Sequence, residues 1–253
     1  MSTVQRHRLI TQAVQEAGTA TVTELAALTR ASEMTIRRDL DQLAAQGVLE
    51  RFRGGARALL LRGDEPPFAL RAHEAVDAKR RIAAEVASLI TDGETVLLDS
   101  GTTCLEVARL LHGRQVTVMP LSLQAIHLLS DAPEPTSLLV PGGRPRPGEG
   151  TLTGPLTLAS LSALRFDTAV LGCCGLSARD GMTAYDLDEA AVKKAAITSS
   201  RRVIAAADGS KLGRIAHAHV GSSTLVHTLV TDTTAPSDEA AALEEASTTL
   251  KIV

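Results

Sequence analysis

The chemically richest residues of the chain sit in a few short polar loops. Asp99-Ser-Gly-Thr-Thr103 combines a carboxylate, three hydroxyls and a glycine. Where such a segment leads from a strand into a helix, Ser100, Gly101, Thr102 and Thr103 offer hydroxyls and unpaired backbone N–H groups to an anion the size of a phosphate; a plain helix start is the alternative. Asp99 is itself anionic and suits sugar hydroxyls better than phosphate. Pro141-Gly-Gly-Arg144 and Gly172-Cys-Cys-Gly175 follow other strand-like runs. Their glycines, Gly142, Gly143, Gly172 and Gly175, either let backbone approach a ligand or merely permit turns, and Arg144 adds a cation. Asp186, Asp188, Glu189 and Lys193 cluster at a helix start. Glu189 and Lys193, four apart, are either ligand contacts or a surface ion pair worth roughly 0.3–0.5 kcal/mol. Asp208-Gly-Ser-Lys211 again follows a strand and offers Lys211 to a phosphate.

Other chemistries are poorly served. The seven His are scattered, and Cys104, Cys173 and Cys174 have neither zinc-ligand spacing nor the even number of a disulfide framework. No metal and no cofactor is expected, and the thiols fit a reduced, cytoplasmic protein. Hydrophobic residues at 44% and charged residues at 22% are ordinary globular values. The uncharged apolar runs are too short for a transmembrane helix, and Met1 to Ile10 is polar and basic, unlike a secretory signal; no membrane partner is expected. Aromatics are 2% with no Trp, so the core must be aliphatic.

The loops need a scaffold, and residues 71–253 supply its pattern. A helix over Arg71–Ile90 and a turn at Asp92-Gly93 come first. Strand-like and helix-like runs then alternate: Thr95–Leu98, helix 103–111, Val116–Met119, helix 122–130, Ser137–Val140, helix 155–164, Thr168–Leu171, helix 188–199 and Arg202–Ala206. Leu225–Val230 and Thr249–Ile252 add strands around a helix over 238–247. Uncharged strands between amphipathic helices predict a parallel sheet covered on both faces. Ligands bind such sheets beyond the carboxyl ends of the strands, where these loops fall.

The first sixty residues read differently. Residues 1–62 carry nine Arg, no Lys and six acids, net +3, whereas the remainder is net −6. A basic arm on an acidic body points to two domains with different partners. Leu9, Ile10, Ala13, Val14 and Ala17 have helical spacing up to Gly18. Thr21 and Glu24 form a capping box. After a break at Thr29–Ala31, Ser32 is an N-cap for a helix burying Ile36, Leu40 and Leu43 and ending at Gly47. Val48–Ala56 alternates apolar and basic residues and turns at Gly54-Gly55, as a β-wing does. The sum is a winged helix-turn-helix, whose third helix fits the major groove of double-stranded DNA. An ordinary three-helix packing module is the alternative, and Arg38 has Asp39 and Asp41 as possible partners. The chain thus reads as an α/β protein: a winged helix-turn-helix over 1–58, a linker over 59–70 whose Arg62, Gly63 and Asp64 precede Pro66-Pro67, and a larger α/β domain over 71–253.

The stretch TVTELAALTRASEMTIRRDLDQLAAQGVLERFRGGA closely resembles the N-terminal signature of DeoR-type bacterial transcription regulators, with Thr35–Leu40 and Gly54-Gly55-Ala56 as its most specific parts. Ala31 stands where Val is usual. By that resemblance Ser32, Thr35, Arg37 and Arg38 lie at the groove, with Arg51 and Arg53 of the wing reaching backbone or minor groove. LLDSGTTCLEVARLL, VPGGRPRPGEGTLTGPL, FDTAVLGCCGL, DLDEAAVKKA and AAADGSKLG resemble the family's sugar-phosphate sensor domain, similar in fold to ribose-5-phosphate isomerases and CoA transferases. The resemblance implies a repressor of a carbohydrate catabolic operon, released from its operator by a phosphorylated sugar. A homo-oligomer, dimer or tetramer, would present paired DNA heads to repeated half-sites. Met119-Pro-Leu-Ser122 stands where the family usually has a Thr-Asn pair, which points to an unusual effector. The alternative is an isomerase-like enzyme with a DNA-binding appendage. Against it, the isomerases' Gly-Ala-Asp-Glu segment is here Gly172-Cys-Cys-Gly175, two acids short, so the chain is expected not to be an enzyme. A DNA-binding scaffold without a ligand would instead fill the crevice with side chains.

Overall fold

The computed structural model describes residues 2–46, 48–58, 65–246 and 248–253. The chain divides into two compact units, Met1–Glu74 and Ala75–Val253. The first contains α1 (Thr3–Ala17), β1 (Thr19–Thr21), α2 (Val22–Thr29), α3 (Glu33–Ala45), β2 (Leu49–Phe52), β3 (Gly55–Ala58) and the single turn α4 (Phe68–Arg71). The helix starts follow from local chemistry. Glu24 N donates to Thr21 Oγ1 at 3.2 Å, and Thr21 N donates back to Glu24 Oε2 at 2.7 Å, the reciprocal bonds of the expected box. Thr35 N donates to Ser32 Oγ at 3.2 Å, capping α3. Gly18 follows α1 with φ 75°. The expected stop at Gly47 lies outside the described residues, as do Arg62, Gly63 and Asp64.

Ile36, Leu40 and Leu43 are buried against Ile10, Val14, Leu25, Leu49 and Ala56, and Leu70 of α4 packs on the same core. The wing has a third strand that sequence pattern did not reveal: β1 pairs antiparallel with β3, giving the order β1-β3-β2. That strand explains Gly55, where a Cβ would overlap the Ala20 carbonyl and the Phe52 ring. Asp39 is the other surprise. Only 3% exposed, it accepts from Arg6 Nε at 2.5 Å and Nη2 at 3.0 Å, and lies 3.0 Å from His7 Nε2. Burial pushes its carboxyl up, but the hydrogen bonds to Arg6 and His7 outweigh this and hold it below the usual range. Asp39 therefore ties α1 to α3. Asp41 pairs with Arg51 of β2, so neither acid considered for Arg38 pairs with it.

The second unit begins with α5 (Val76–Ser88), β4 (Thr95–Leu98), α6 (Thr102–Leu111), β5 (Thr117–Pro120), α7 (Leu123–Ser130) and β6 (Ser137–Leu138). A short hairpin, β7 (Arg144–Pro145) and β8 (Leu152–Thr153), leads to α8 (Pro155–Ala163) and β9 (Phe166–Leu171). After β10 (Gly175–Ser177) and β11 (Gly181–Ala184) come α9 (Leu187–Ser199), β12 (Ser200–Ala206), β13 (Ala218–Gly221), β14 (Thr228–Thr231), α10 (Ser237–Glu245) and β15 (Thr249–Ile252). Seven strands form one sheet in the order β15-β14-β12-β9-β4-β5-β6, parallel throughout. Side chains alternate between its faces. Val96, Leu98, Val170 and Ile204 pack with α5, α6 and α7; Leu97, Ala169, Leu171 and Val203 pack with α8, α9 and α10. The expected doubly covered sheet is therefore present.

The single helix expected over Arg71–Ile90 is corrected to two pieces. Arg71 closes α4, its Nε bonded to the Pro66 carbonyl at 2.7 Å. Ala75 then adopts a left-handed φ of 49°, and its carbonyl accepts from Lys79 N at 2.9 Å to open α5. The strand expected from Leu225 starts at Thr228, because Ser223–Leu225 form a 3-10 turn capped by Ser222. The hairpin β7–β8 and the antiparallel sheet β10-β11-β13 had no counterpart in the sequence pattern.

Because the Asp39 carboxyl is held low in the folded state, its stabilisation is present above its unfolded pKa, about 4, and is lost as pH falls through the folded value. Asp39→Asn is expected to destabilise the first unit by about 2–3 kcal/mol at neutral pH. Urea unfolding followed by circular dichroism should show the gap to the unsubstituted protein closing on the acid side. A gap of equal size at pH 3 and pH 7 contradicts a charge-based tie.

Candidate nucleic-acid interface and ligand crevice

On α3 the buried stripe leaves the opposite face to solvent. Ser32, Arg37 and Arg38 are exposed and Thr35 is half-buried. Arg37 Nη2 bonds Glu33 Oε2 at 3.1 Å, one turn back. Arg38 has no ion-pair partner among the described residues, and neither has the exposed Arg53 at the wing tip. Arg51 is engaged by Asp41, which joins the wing to α3. The unit therefore presents one helix and one hairpin with free guanidinium groups on each, the layout by which a major-groove helix and a backbone-contacting wing divide their work.

A second candidate site lies where the sheet reverses. From β4 the chain builds outward through β5 and β6, then returns to place β9 on the other side of β4. Such a reversal leaves a crevice between the carboxyl ends of the two strands. Asp99 and Ser100 follow β4, and Gly172 follows β9. Asp99, 1% exposed, accepts from Gly172 N at 3.0 Å through Oδ2, and the same oxygen binds Lys193 Nζ. Lys193, 5% exposed on α9, also donates to the Gly172 carbonyl at 2.9 Å. Burial alone would push the Lys193 ammonium down; Asp99 and Glu189 more than offset this and hold it above the usual lysine range. Lys193 is thus a buried charge paired with Asp99.

Around this pair the predicted residues gather. Gly101 opens α6 with no side-chain cap, so the first N–H groups, over Thr102 and Thr103, have no capping side chain as acceptor. Asp186 caps α9, accepting from Glu189 N at 2.9 Å. Arg146, on the β7–β8 turn, reaches Glu189 Oε2 at 3.3 Å and Asp186 Oδ2 at 3.5 Å. Glu189 is buried, which corrects the alternative of a solvent-exposed Glu189–Lys193 pair. Asp208 caps the 3-10 turn Gly209–Lys211, and Lys211 has no ion-pair partner among the described residues. Burial first, and then Cys174, push the Cys173 thiol up to about 12, against the pull of Lys193 and Lys211; Asp208 adds to the rise. The loops after β9 and β12 therefore share one neighbourhood with α9. Cys104 is likewise buried and held protonated.

Other predicted residues are used differently. The Gly142 carbonyl accepts from Thr157 Oγ1 at 2.8 Å, and a Cβ at Gly143 would overlap the same hydroxyl, so both pack on α8. Gly175 is pressed against the Arg214 backbone beside β11. Arg144 lines an open cleft of about 480 Å³ with Arg146, Thr153, Asp186 and Asp188. Arg146 was missed: it lies in the quoted RPRPGEG segment, but only the fold carries it across to α9. Among the described residues, no helix is long and apolar enough to cross a membrane.

Residues 6–60 match the family described as DeoR-like helix-turn-helix domain, and residues 74–233 match the DeoR C terminal sensor domain. The glycerol-3-phosphate regulon repressor of Escherichia coli K12 is 34% identical over 237 residues, 93% of each chain. The HTH-type transcriptional repressor CsqR of the same organism is 31% identical over 233 residues, 91% of this chain and 88% of its own. Among solved structures, ribose 5-phosphate isomerase A of Methanocaldococcus jannaschii overlaps 54% of each chain at 18% identity and a TM-score of 0.40. The family and its named relatives are regulators, not enzymes. With both family matches in chain order and such relatives along nearly its whole length, this chain belongs to the DeoR family and is a DNA-binding transcription repressor.

Proposed function

We propose that this repressor controls a carbohydrate catabolic operon and is released from its operator by a phosphorylated sugar held in the crevice between β4 and β9. The observation that carries the proposal is the uncapped start of α6 beside the buried Asp99–Lys193 pair. A helix start with free N–H groups suits a phosphate, and Ser100, Thr102 and Thr103 add hydroxyls to it. Lys211, unpaired among the described residues, supplies the cation. Asp99, Asp186 and Glu189 suit sugar hydroxyls. Because Lys193 already carries Asp99, it orients that carboxylate and does not serve the phosphate.

At the other end of the chain, Ser32, Thr35 and Arg38 meet the major groove and Arg53 the backbone, while Arg51 holds the wing in place through Asp41. The operative form is a cytoplasmic homo-oligomer, dimer or tetramer, whose paired heads match repeated half-sites. For the effector to release DNA it must favour the DNA-incompetent state, with a coupling of about 1–3 kcal/mol.

A thermal-shift panel of sugar phosphates against the corresponding free sugars tests the effector class. A true effector at about 100 times its Kd adds about 2.7 kcal/mol of stability, and the gain should require the phosphate. No hit across the panel contradicts a sugar-phosphate effector. Lys211→Ala and Thr102→Val should each weaken the hit about tenfold or more and leave operator binding intact, whereas unchanged affinity in both misplaces the phosphate. Conversely, the double substitution Arg37→Glu/Arg38→Glu should abolish operator retardation in a gel while the thermal shift persists.

A further inference from the structure

The outward face of α3 contains one residue that polar and electrostatic readings of a DNA interface leave unused. Met34 is the second residue of α3 and is 63% exposed. It stands opposite the buried stripe of Ile36, Leu40 and Leu43, and Arg37 and Arg38 follow it at i+3 and i+4, on the same side of the helix. It belongs to no part of the core of the first unit. An apolar side chain in the first turn, framed by Glu33, Thr35 and two arginines, is largely uncovered where it stands.

We propose that Met34 reads a thymine in the operator through that base's C5-methyl group. This rests on the reading of α3 as the helix laid in the major groove, and it adds a specificity-determining residue to it. The argument is one of chemical matching. The N-terminal residues of a groove-bound helix meet base edges, and of all the features on those edges the thymine methyl is the apolar one. An unbranched thioether side chain adjusts its three torsions to such a contact. Arg38, free of any protein partner among the described residues, lies one turn further along the same face. It meets a phosphate or a guanine edge while Met34 meets the methyl. The charge of the face decides the occupant: two arginines beside an apolar side chain suit a duplex rather than a second copy of this basic unit.

The test removes the methyl from the DNA and the side chain from the protein separately. Binding sites are selected from a random duplex pool with the full chain. Affinities are then measured by fluorescence anisotropy for the unsubstituted protein and for Met34→Ala and Met34→Gln, on the selected duplex and on versions carrying uracil at one thymine at a time. One thymine per half-site should cost the unsubstituted protein about three- to tenfold on conversion to uracil. Met34→Ala should bind the parent duplex weaker by a similar factor and be indifferent to uracil at that position alone. Equal uracil penalties in both proteins, or none in either, overturn the proposal while leaving the helix assignment intact. A change in the oligomeric mass of Met34→Ala with its uracil penalties unaltered overturns it in favour of a contact between copies. If Arg37→Glu/Arg38→Glu enriches the same sites with undiminished affinity, the helix assignment itself falls, and this inference with it.

Discussion

A charged ammonium inside a protein has to be met by anions, and much of the second unit is arranged around that requirement at Lys193. Its position on α9 is set by helix geometry, but its partners come from elsewhere. Asp99 is delivered by the turn after β4, the Gly172 carbonyl by the end of β9, and Glu189 by the preceding turn of α9 itself. None of these groups is near the others in sequence except Glu189. They meet because the sheet grows outward from β4 and then returns to its other side, leaving the two strand ends adjacent. Taking away one member of a buried pair is strongly destabilising, because the other is left charged and unmatched. The crevice is thus polar by necessity. Arg146, Glu189, Lys193 and Asp99 form a row of alternating sign running from the hairpin turn to the strand end.

How much of this was legible depends on whether the deciding interaction is local. Capping boxes and hydrophobic stripes are local, so the starts of α2 and α3 and the buried set Ile36, Leu40 and Leu43 were readable residue by residue. The parallel sheet was legible from uncharged runs between amphipathic helices, and β4 and β15 fell on the expected residues. β10 and β11 were not, because every residue in them is buried and no alternation marks them as strands. The break near Ala75 was hidden too: residues 71–90 contain no Pro or Gly before Gly93, and the interruption comes from a single left-handed alanine. For the crevice, residue types pointed to Asp99, Glu189 and Lys193. Who pairs with whom could not be read, since 94 residues separate Lys193 from Asp99.

The first unit makes the same point on a smaller scale. Asp39 looks like an ordinary helix-surface acid, flanked by Arg38 and Asp41, yet it is buried and answers to Arg6 and His7 on α1. Adjacent positions on a helix do not face each other, so Asp39 turns inward to α1 while Arg38 turns outward. One acid of the stretch is thus consumed inside the unit and the neighbouring arginine is left on its surface, a distinction invisible to any count of basic and acidic residues.

The bond between Arg51 and Asp41 has a consequence of a different kind. Wing and helix share the buried core of Leu40, Leu43, Leu49 and Ala56, and the exposed Arg51–Asp41 pair adds a contact at its edge, so the unit behaves as a caliper with one preferred setting. For a unit docking as proposed, a duplex whose groove width differs from that setting must bend or narrow to fit, and stiff and pliant sequences would do so at different energies. Such an instrument gauges the DNA as well as spelling it, discriminating among base pairs that no side chain touches.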